Sequence, residues 1–255
     1  MKYKKLLVLI TCLLFVTVAV FCFASAFKIT DIELSVTTVN GSQEGVDALS
    51  ENYLQKYENK NLIFVKTDEI ERDLSSLSGY IEVVSVKKAY PNKISVVIKE
   101  RAECFSIYHG GKYYALDGNF NVLSKKDTNA NNLGGSSNLL LKLSSSDYSS
   151  DIEIGRPLNL YDTTLKEMMN SASSKIYSFR ENLSFVQFLV KQDGVSNRVI
   201  TLVMKEGVTF KVLKANERTV DKLTATFNYY LALENKGVGE YVTVLGDDGN
   251  ISIRE

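Results

Sequence analysis

The side chains able to do chemistry are few and scattered. The 255-residue chain has one histidine, His109, which stands beside Gly110 and Gly111. A general base must reach a proton on a positioned partner, and a histidine in a glycine-rich hairpin reads as a solvated loop residue. Asp117 precedes Gly118 and has the form of a catalytic acid, but an aspartate setting a turn after a strand is the better explanation. Asp247 and Asp248 suggest calcium, yet their surroundings do not supply the ~6–8 oxygens that calcium takes. Tyr113-Tyr114 and Tyr229-Tyr230 have the look of sugar-stacking aromatics, although one of each pair should face a core. The HExxH, G-x-S-x-G, phosphate-loop and CxxC patterns are all missing from the sequence. The residues therefore point to binding rather than catalysis: no enzyme, cofactor, metal or small-molecule substrate is expected.

The elements that must position a binding surface begin at the N-terminus. Leu6 to Phe27 carry no charge, and Thr11, Thr17 and Ser25 are their only clearly polar side chains. As a helix these 22 residues reach roughly 33 Å at ~1.5 Å per residue, enough for a hydrocarbon core of about 30 Å. Lys2, Lys4 and Lys5 precede them, which places the N-terminus in the cytoplasm and the remainder outside. Ala24-Ser25-Ala26 also has the form of a signal-peptide cleavage site. Secretory apolar regions usually run ~7–15 residues, however, and the reading is a retained anchor. Phe21 before Cys22 is too large for lipoprotein processing.

Cys12 and Cys22 lie in the apolar run, so Cys104 is alone beyond it and no internal disulfide framework is available. The exported part must be held by hydrophobic cores. Lys plus Arg and Asp plus Glu both number 30, so there is no basic footprint for nucleic acid.

Residues 28–100 read strand, helix, helix, strand, strand. Ile29, Ile32, Leu34 and Val36 open an extended segment. Val46, Leu49, Tyr53 and Tyr57 follow at helical spacing, with Ser42 or Gly45 to start the helix. Thr67 with Asp68 and Glu69 predicts a capped second helix, with inner face Ile70, Leu74 and Leu77 and an end at Gly79. Two β-rich runs, 80–89 and 93–99, flank a Tyr90-Pro91-Asn92 turn, and Ile94, Val96 and Ile98 alternate as one buried face should.

From Arg101 strands dominate. His109 to Lys112 joins a hairpin, Asp117-Gly118-Asn119 is a turn, and 124–137 and 144–151 read as mobile surface loops. Asp162 should cap a helix reaching about Glu181. Three strands follow over 184–191, 198–205 and 208–213, with Gly194 and Gly207 in turns. An amphipathic helix then carries Val220, Leu223, Phe227, Tyr230 and Leu231, with Asn216 as its cap. Strands 241–245 and 250–254 close the chain around Gly246-Asp247-Asp248-Gly249. The fold class is thus α+β: one transmembrane helix (6–27) after a short cytoplasmic tail (1–5), a small α+β domain (28–100), and a mainly antiparallel β domain with two flanking helices (101–255).

Ile81-Glu82-Val83-Val84-Ser85-Val86-Lys87-Lys88-Ala89-Tyr90-Pro91-Asn92-Lys93-Ile94-Ser95-Val96-Val97-Ile98-Lys99-Glu100-Arg101 resembles the bacterial cell-division proteins called FtsQ or DivIB. Like them it has a strand, basic residues, an aromatic-Pro turn, a second strand and Glu-Arg. Lys112 to Gly118 resembles the family's "tyrosine, apolar, Asp, Gly" segment, and the order of elements is similar through the last strand. The resemblance implies a POTRA domain over 28–100, a β domain over 101–255 and a non-catalytic divisome role at the septal membrane. It implies as partners a small bitopic protein of the FtsB/DivIC type together with FtsL, engaged through the last strands. Tyr241, Thr243, Leu245, Asp247, Gly249, Ile251, Ser252 and Ile253 are the expected partner-binding residues. Leu245-Gly246 replaces an Arg-Tyr pair of some members, so their polar contacts do not carry over.

An exposed C-terminal strand offers unpaired N–H and C=O groups, which a partner strand satisfies by β-augmentation; the alternative is a strand already covered by its own domain. Two other classes compete. An outer-membrane assembly factor would need a transmembrane barrel, and 101–255 lack regular ~9–11-residue lipid-facing strands. A membrane-anchored wall hydrolase or glycan-binding protein would need a cleft with convergent carboxylates.

Overall fold

The computed structural model describes residues 2–39, 45–131, 137–190 and 198–255, without the side chains of Lys2, Lys5, Leu6 and Ala24. Ser42, offered as a helix start, and Gly194, expected in a turn, lie outside these residues, as do 132–136 of the loop expected over 124–137. The chain divides into two compact units, Met1–Glu100 and Arg101–Glu255.

The first unit starts with helix α1, Lys2–Ala26. Among the described residues no helix is long and apolar enough to cross a membrane; the described side chains of α1 run unbroken and uncharged from Leu7 to Phe23. Next come strand β1 (Asp31–Thr37), helix α2 (Val46–Leu54) with a 3-10 turn at Gln55–Tyr57, helix α3 (Thr67–Leu77), and strands β2 (Ile81–Ala89) and β3 (Lys93–Glu100). This is the expected β-α-α-β-β order. The sheet runs β1-β3-β2, with β1 parallel and β2 antiparallel to the central β3. Ile94, Val96 and Ile98 are fully buried, as are Ile70 and Leu74 of α3 and Val46 and Leu54 of α2. Leu77 and Leu49 differ from expectation, being about 40% exposed: the helices bury their i, i+4 rows and turn these residues outward. Gly45, at φ +63°, opens α2, and Lys66 rather than Thr67 precedes α3. That helix ends at Leu77, before Gly79.

The second unit contains β4 (Phe105–His109), β5 (Lys112–Leu116), β6 (Val122–Lys126), β7 (Leu139–Lys142), α4 (Thr163–Ser178), β8 (Leu183–Leu189), β9 (Val199–Met204), β10 (Thr209–Val212), α5 (Thr219–Ala232), β11 (Glu240–Leu245) and β12 (Ile251–Arg254). Its nine strands form one sheet in the order β12-β11-β10-β9-β8-β7-β4-β5-β6. The sheet is mixed. Five pairings are antiparallel, but β4–β7, β7–β8 and β10–β11 are parallel: α4 carries the chain back between β7 and β8 and α5 between β10 and β11, whereas β5, β6 and the segment after them separate β4 from β7.

The register aligns Tyr241, Phe210, Leu202 and Val186 across four strands, and this face packs on α4 and α5 to form a single core. Asp162 caps α4 as expected, its Oδ1 accepting from the N–H groups of Thr164 (2.7 Å) and Leu165 (3.2 Å). The β4–β5 hairpin is tighter than expected. Its loop is Gly110-Gly111 alone, both at positive φ, the backbone a two-residue type I′ turn requires. The serine-rich stretch 144–151 is not a detached surface loop: Tyr148 is 4% exposed and joins the core.

Candidate functional site: the open edge of the second sheet

Strand β12 ends the nine-stranded sheet, with β11 on one side and no described strand on the other. The connecting turn explains why the hairpin closes. Gly246 N–H donates to the Asn250 carbonyl (2.8 Å), and Gly249 N–H donates to the Gly246 carbonyl (3.0 Å). Gly249 sits at φ +78°, the left-handed position that ends a three-residue hairpin loop and favours glycine. Asp248 accepts from the Asn250 backbone N–H (3.0 Å) and side-chain amide (2.8 Å). Those bonds hold its carboxyl below the usual range. Arg218, preceding α5, donates to the Gly249 carbonyl (2.7 Å) and to Asp221 (2.9 Å), tying the turn to the helix.

The ladder fixes which backbone groups of β12 are free. Thr243 faces Ile253, Val244 faces Ser252, and Leu245 faces Ile251. Opposed residues in an antiparallel pair alternate between exchanging hydrogen bonds and exchanging none. Because the Gly246–Asn250 pair is bonded, Val244–Ser252 is bonded too. The N–H and C=O groups of Ile251 and Ile253 therefore point away from β11, toward the open side.

The eight expected partner residues divide sharply. Tyr241 is 8% exposed, stacked on Phe210 (ring centroids 5.3 Å apart) and edge-on to Tyr229 at the same distance; burial pushes its phenol pKa up. Thr243 is fully buried, its Oγ1 2.8 Å from Thr226 Oγ1 of α5. Both belong to a strand paired on each side, so neither side chain nor backbone of this pair is open. Leu245 and Ile251 are half-buried, Asp247 and Gly249 form the exposed tip, and Ile253 packs partly on the core. Ser252 is half-buried, and its Oγ is buried without a hydrogen-bond partner. Sequence reasoning placed Asp248 in the turn but missed its bonds to Asn250, for which the Asp-x-Asn spacing was the available signal, and it missed Arg218, which meets the turn from 31 residues away.

The residues considered for chemistry sit in structural roles. Asp117 accepts from the N–H of Asn119 (2.9 Å) and Asn121 (2.8 Å) and from the Asn121 side chain (2.7 Å), with Arg101 Nε 3.6 Å away. His109 ends β4 and is half-buried, its Nδ1 3.1 Å from the Tyr148 hydroxyl, so it is not the solvated loop residue expected. Burial pushes the Cys104 thiol up to about 11, which leaves it protonated and unreactive at neutral pH. Among the described residues no three His, Cys, Asp or Glu side chains group as metal ligands.

The family described as "POTRA domain, FtsQ-type" matches residues 27–101. These residues are an FtsQ-type POTRA domain. The resemblance read from 81–101 falls inside it, whereas the family match stops where the second unit begins. Part of the chain is also similar to DivIB. It is 34% identical over 67 residues to the cell division protein DivIB of Clostridium tetani (strain Massachusetts / E88), a match covering 26% of this chain and about a quarter of that relative's length. The solved extracytoplasmic domain of the trans isomer of DivIB from Geobacillus stearothermophilus aligns at 15% identity. It covers 54% of this chain and 98% of that one, with a TM-score of 0.33.

Proposed function

We propose that this chain is a non-catalytic divisome scaffold, anchored by residues 6–27 with its two folded units outside the cytoplasm. Its β12 edge receives a strand from an FtsB/DivIC-like bitopic protein, with an FtsL-like protein in the same complex at the septum. The observation that carries this reading is an edge strand with outward N–H and C=O groups at Ile251 and Ile253, in a chain that bears an FtsQ-type POTRA domain. Strand addition satisfies those groups, and the half-buried Ile251 and Ile253 side chains lie along the seam. The uncharged run of α1 and the lysines before it support the anchor.

The test is co-purification of the full chain, in detergent, with tagged FtsB/DivIC-like and FtsL-like proteins from the same genome. Binding lost on deletion of 250–255, with the POTRA domain still folded, is expected. A full chain that captures neither protein would refute the scaffold reading. For the anchor, a C-terminal alkaline phosphatase fusion should be active and membrane-bound; soluble protein beginning at Phe27 would show cleavage after Ala26 instead.

A further inference from the structure

The end of the POTRA domain that receives α1 carries an unexplained surface. The helix passes into the domain without a spacer: the Phe27 carbonyl accepts from Leu62 N–H (2.8 Å), and Ile29 exchanges backbone bonds with Lys60 and Asn59 (2.9 Å each). The Phe27 ring lies 4.6 Å from Phe23 of the helix and 6.1 Å from Tyr90 of the β2–β3 turn. Residues 59–64 and 90–92 are thereby held at the helix end. On them Phe64 is 80% exposed, Tyr90 63% and Ile63 37%. An exposed ring such as that of Phe64 is costly in water, and the headgroup level of a bilayer takes an apolar body while leaving a polar tip, such as the Tyr90 hydroxyl, in contact with polar groups.

Charge follows the same pattern. Lys28 and Lys60 are exposed at this end, and Lys88 is half-buried, its Nζ 3.0 Å from the Ile63 carbonyl. Among the described residues none of the three has a carboxylate partner. Asp31 and Glu33, on the neighbouring strand, are both engaged by Lys93 (3.4 and 2.8 Å), which leaves Glu58 as the nearby acid. Cations beside exposed aromatics at the mouth of an apolar helix match a phosphate-bearing lipid surface.

We infer that Phe64, Tyr90, Lys28, Lys60 and Lys88 form a bilayer-contacting face that seats the POTRA domain on anionic headgroups. The inference rests on the anchoring reading above. Nine-residue β2 separates Tyr90 from the end of α3 by about 27 Å at ~3.3 Å per residue, so Ser76 provides a reference far from the lipid. The full chain, with Cys12, Cys22 and Cys104 replaced by alanine, is labelled with a fluorophore at Phe64→Cys or Ser76→Cys. Both sites are exposed, which spares the core. Each protein is reconstituted in vesicles of phosphatidylcholine, with or without phosphatidylglycerol, containing a shallow spin-labelled lipid.

Quenching at 64 should exceed that at 76 several-fold and should rise with phosphatidylglycerol. Lys28→Gln, Lys60→Gln and Lys88→Gln together should remove that rise. Equal quenching at the two sites in a chain resistant to carbonate extraction overturns the seating while leaving the anchor intact; so does a rise that survives the triple substitution. A chain extracted by carbonate overturns the anchor and the seating together.

Discussion

Replacing Ile251 by proline separates the two edges of one strand. Its N–H points away from β11, so proline there leaves the hairpin's own ladder intact and removes a donor only from the open side. Proline is also tolerated at the first residue of a strand, which Ile251 is. Ser252→Pro does the reverse, deleting the bond to Val244 and leaving the outer edge complete. One ladder bond is worth roughly 0.5–1.5 kcal/mol net, and the ring also obstructs an incoming strand. Ile251→Pro should therefore weaken partner affinity by about tenfold or more, with the melting temperature nearly unchanged. Ser252→Pro should lower the melting temperature by the cost of a broken internal ladder. Ile253→Pro should do both, since its N–H faces outward and its side chain packs partly on the core; Ile253→Val isolates the packing share. Isothermal titration of the full chain in detergent against the FtsB/DivIC-like protein gives the affinities, and calorimetry gives the melting points. Folded Ile251→Pro and Ile253→Pro variants that bind as tightly as the unsubstituted chain would refute strand addition at β12.

Ser252→Ala should be neutral or stabilising by up to about 1 kcal/mol, because it deletes a buried hydroxyl that has no partner; a loss above that on chemical denaturation would show a hidden contact. Thr226 Oγ1 donates to the Lys222 carbonyl, so Thr243 must donate to Thr226. Thr226→Val, which orphans a buried donor, should then cost more than Thr243→Val, by about 1 kcal/mol or more in unfolding experiments; equal costs, or a lower cost for Thr226→Val, would contradict the hydroxyl assignment. Burial raises the phenol pKa values of Tyr148, Tyr177 and Tyr230. Their contribution is thus complete below the unfolded value of about 10 and lost as pH climbs through the folded values. Lys222, lowered by burial, works in the opposite sense, whereas Tyr241 and Cys104, both raised by burial, act with the phenols. The melting temperature should fall between pH 9 and 11, and a flat or rising profile would contradict these burials.

The POTRA domain was legible because its signals are local: the Ile94, Val96, Ile98 alternation and the Tyr90–Asn92 turn need no distant partner. The centre of the α5 face was legible, with Leu223, Phe227 and Tyr230 buried as expected, but its two ends were not, for an instructive reason. Val220 and Leu231 are 49% and 58% exposed, while Thr219, Lys222 and Thr226 are buried. The buried polar groups are satisfied from within. Thr219 donates to the Ala215 carbonyl, Lys222 Nζ to the carbonyls of Leu213 (2.9 Å) and Lys214 (2.8 Å), and Thr226 meets Thr243. Hydrophobic periodicity counts such residues as outward because it cannot see the partners supplied by the segment before the helix and by β11. Tyr148 was hidden for a related reason, a single core side chain in a serine-rich stretch. At the C-terminal hairpin both strands and the turn were readable, but a one-dimensional pattern could not separate the sealed β11 from the open β12. That distinction depends on the parallel β10–β11 pairing made possible by α5.

The shortness of β12 sets a ceiling on what strand pairing can contribute. With only Ile251 and Ile253 presenting outward groups, an incoming strand gains at most about four backbone bonds, or roughly 2–6 kcal/mol in total. A micromolar complex needs about 8 kcal/mol, and ordering the partner consumes part of whatever is gained. Pairing along this edge can thus fix the direction and register of a guest strand, but residence time must come from side-chain contacts beyond it. A peptide copying only the guest strand should be a poor competitor for the intact partner.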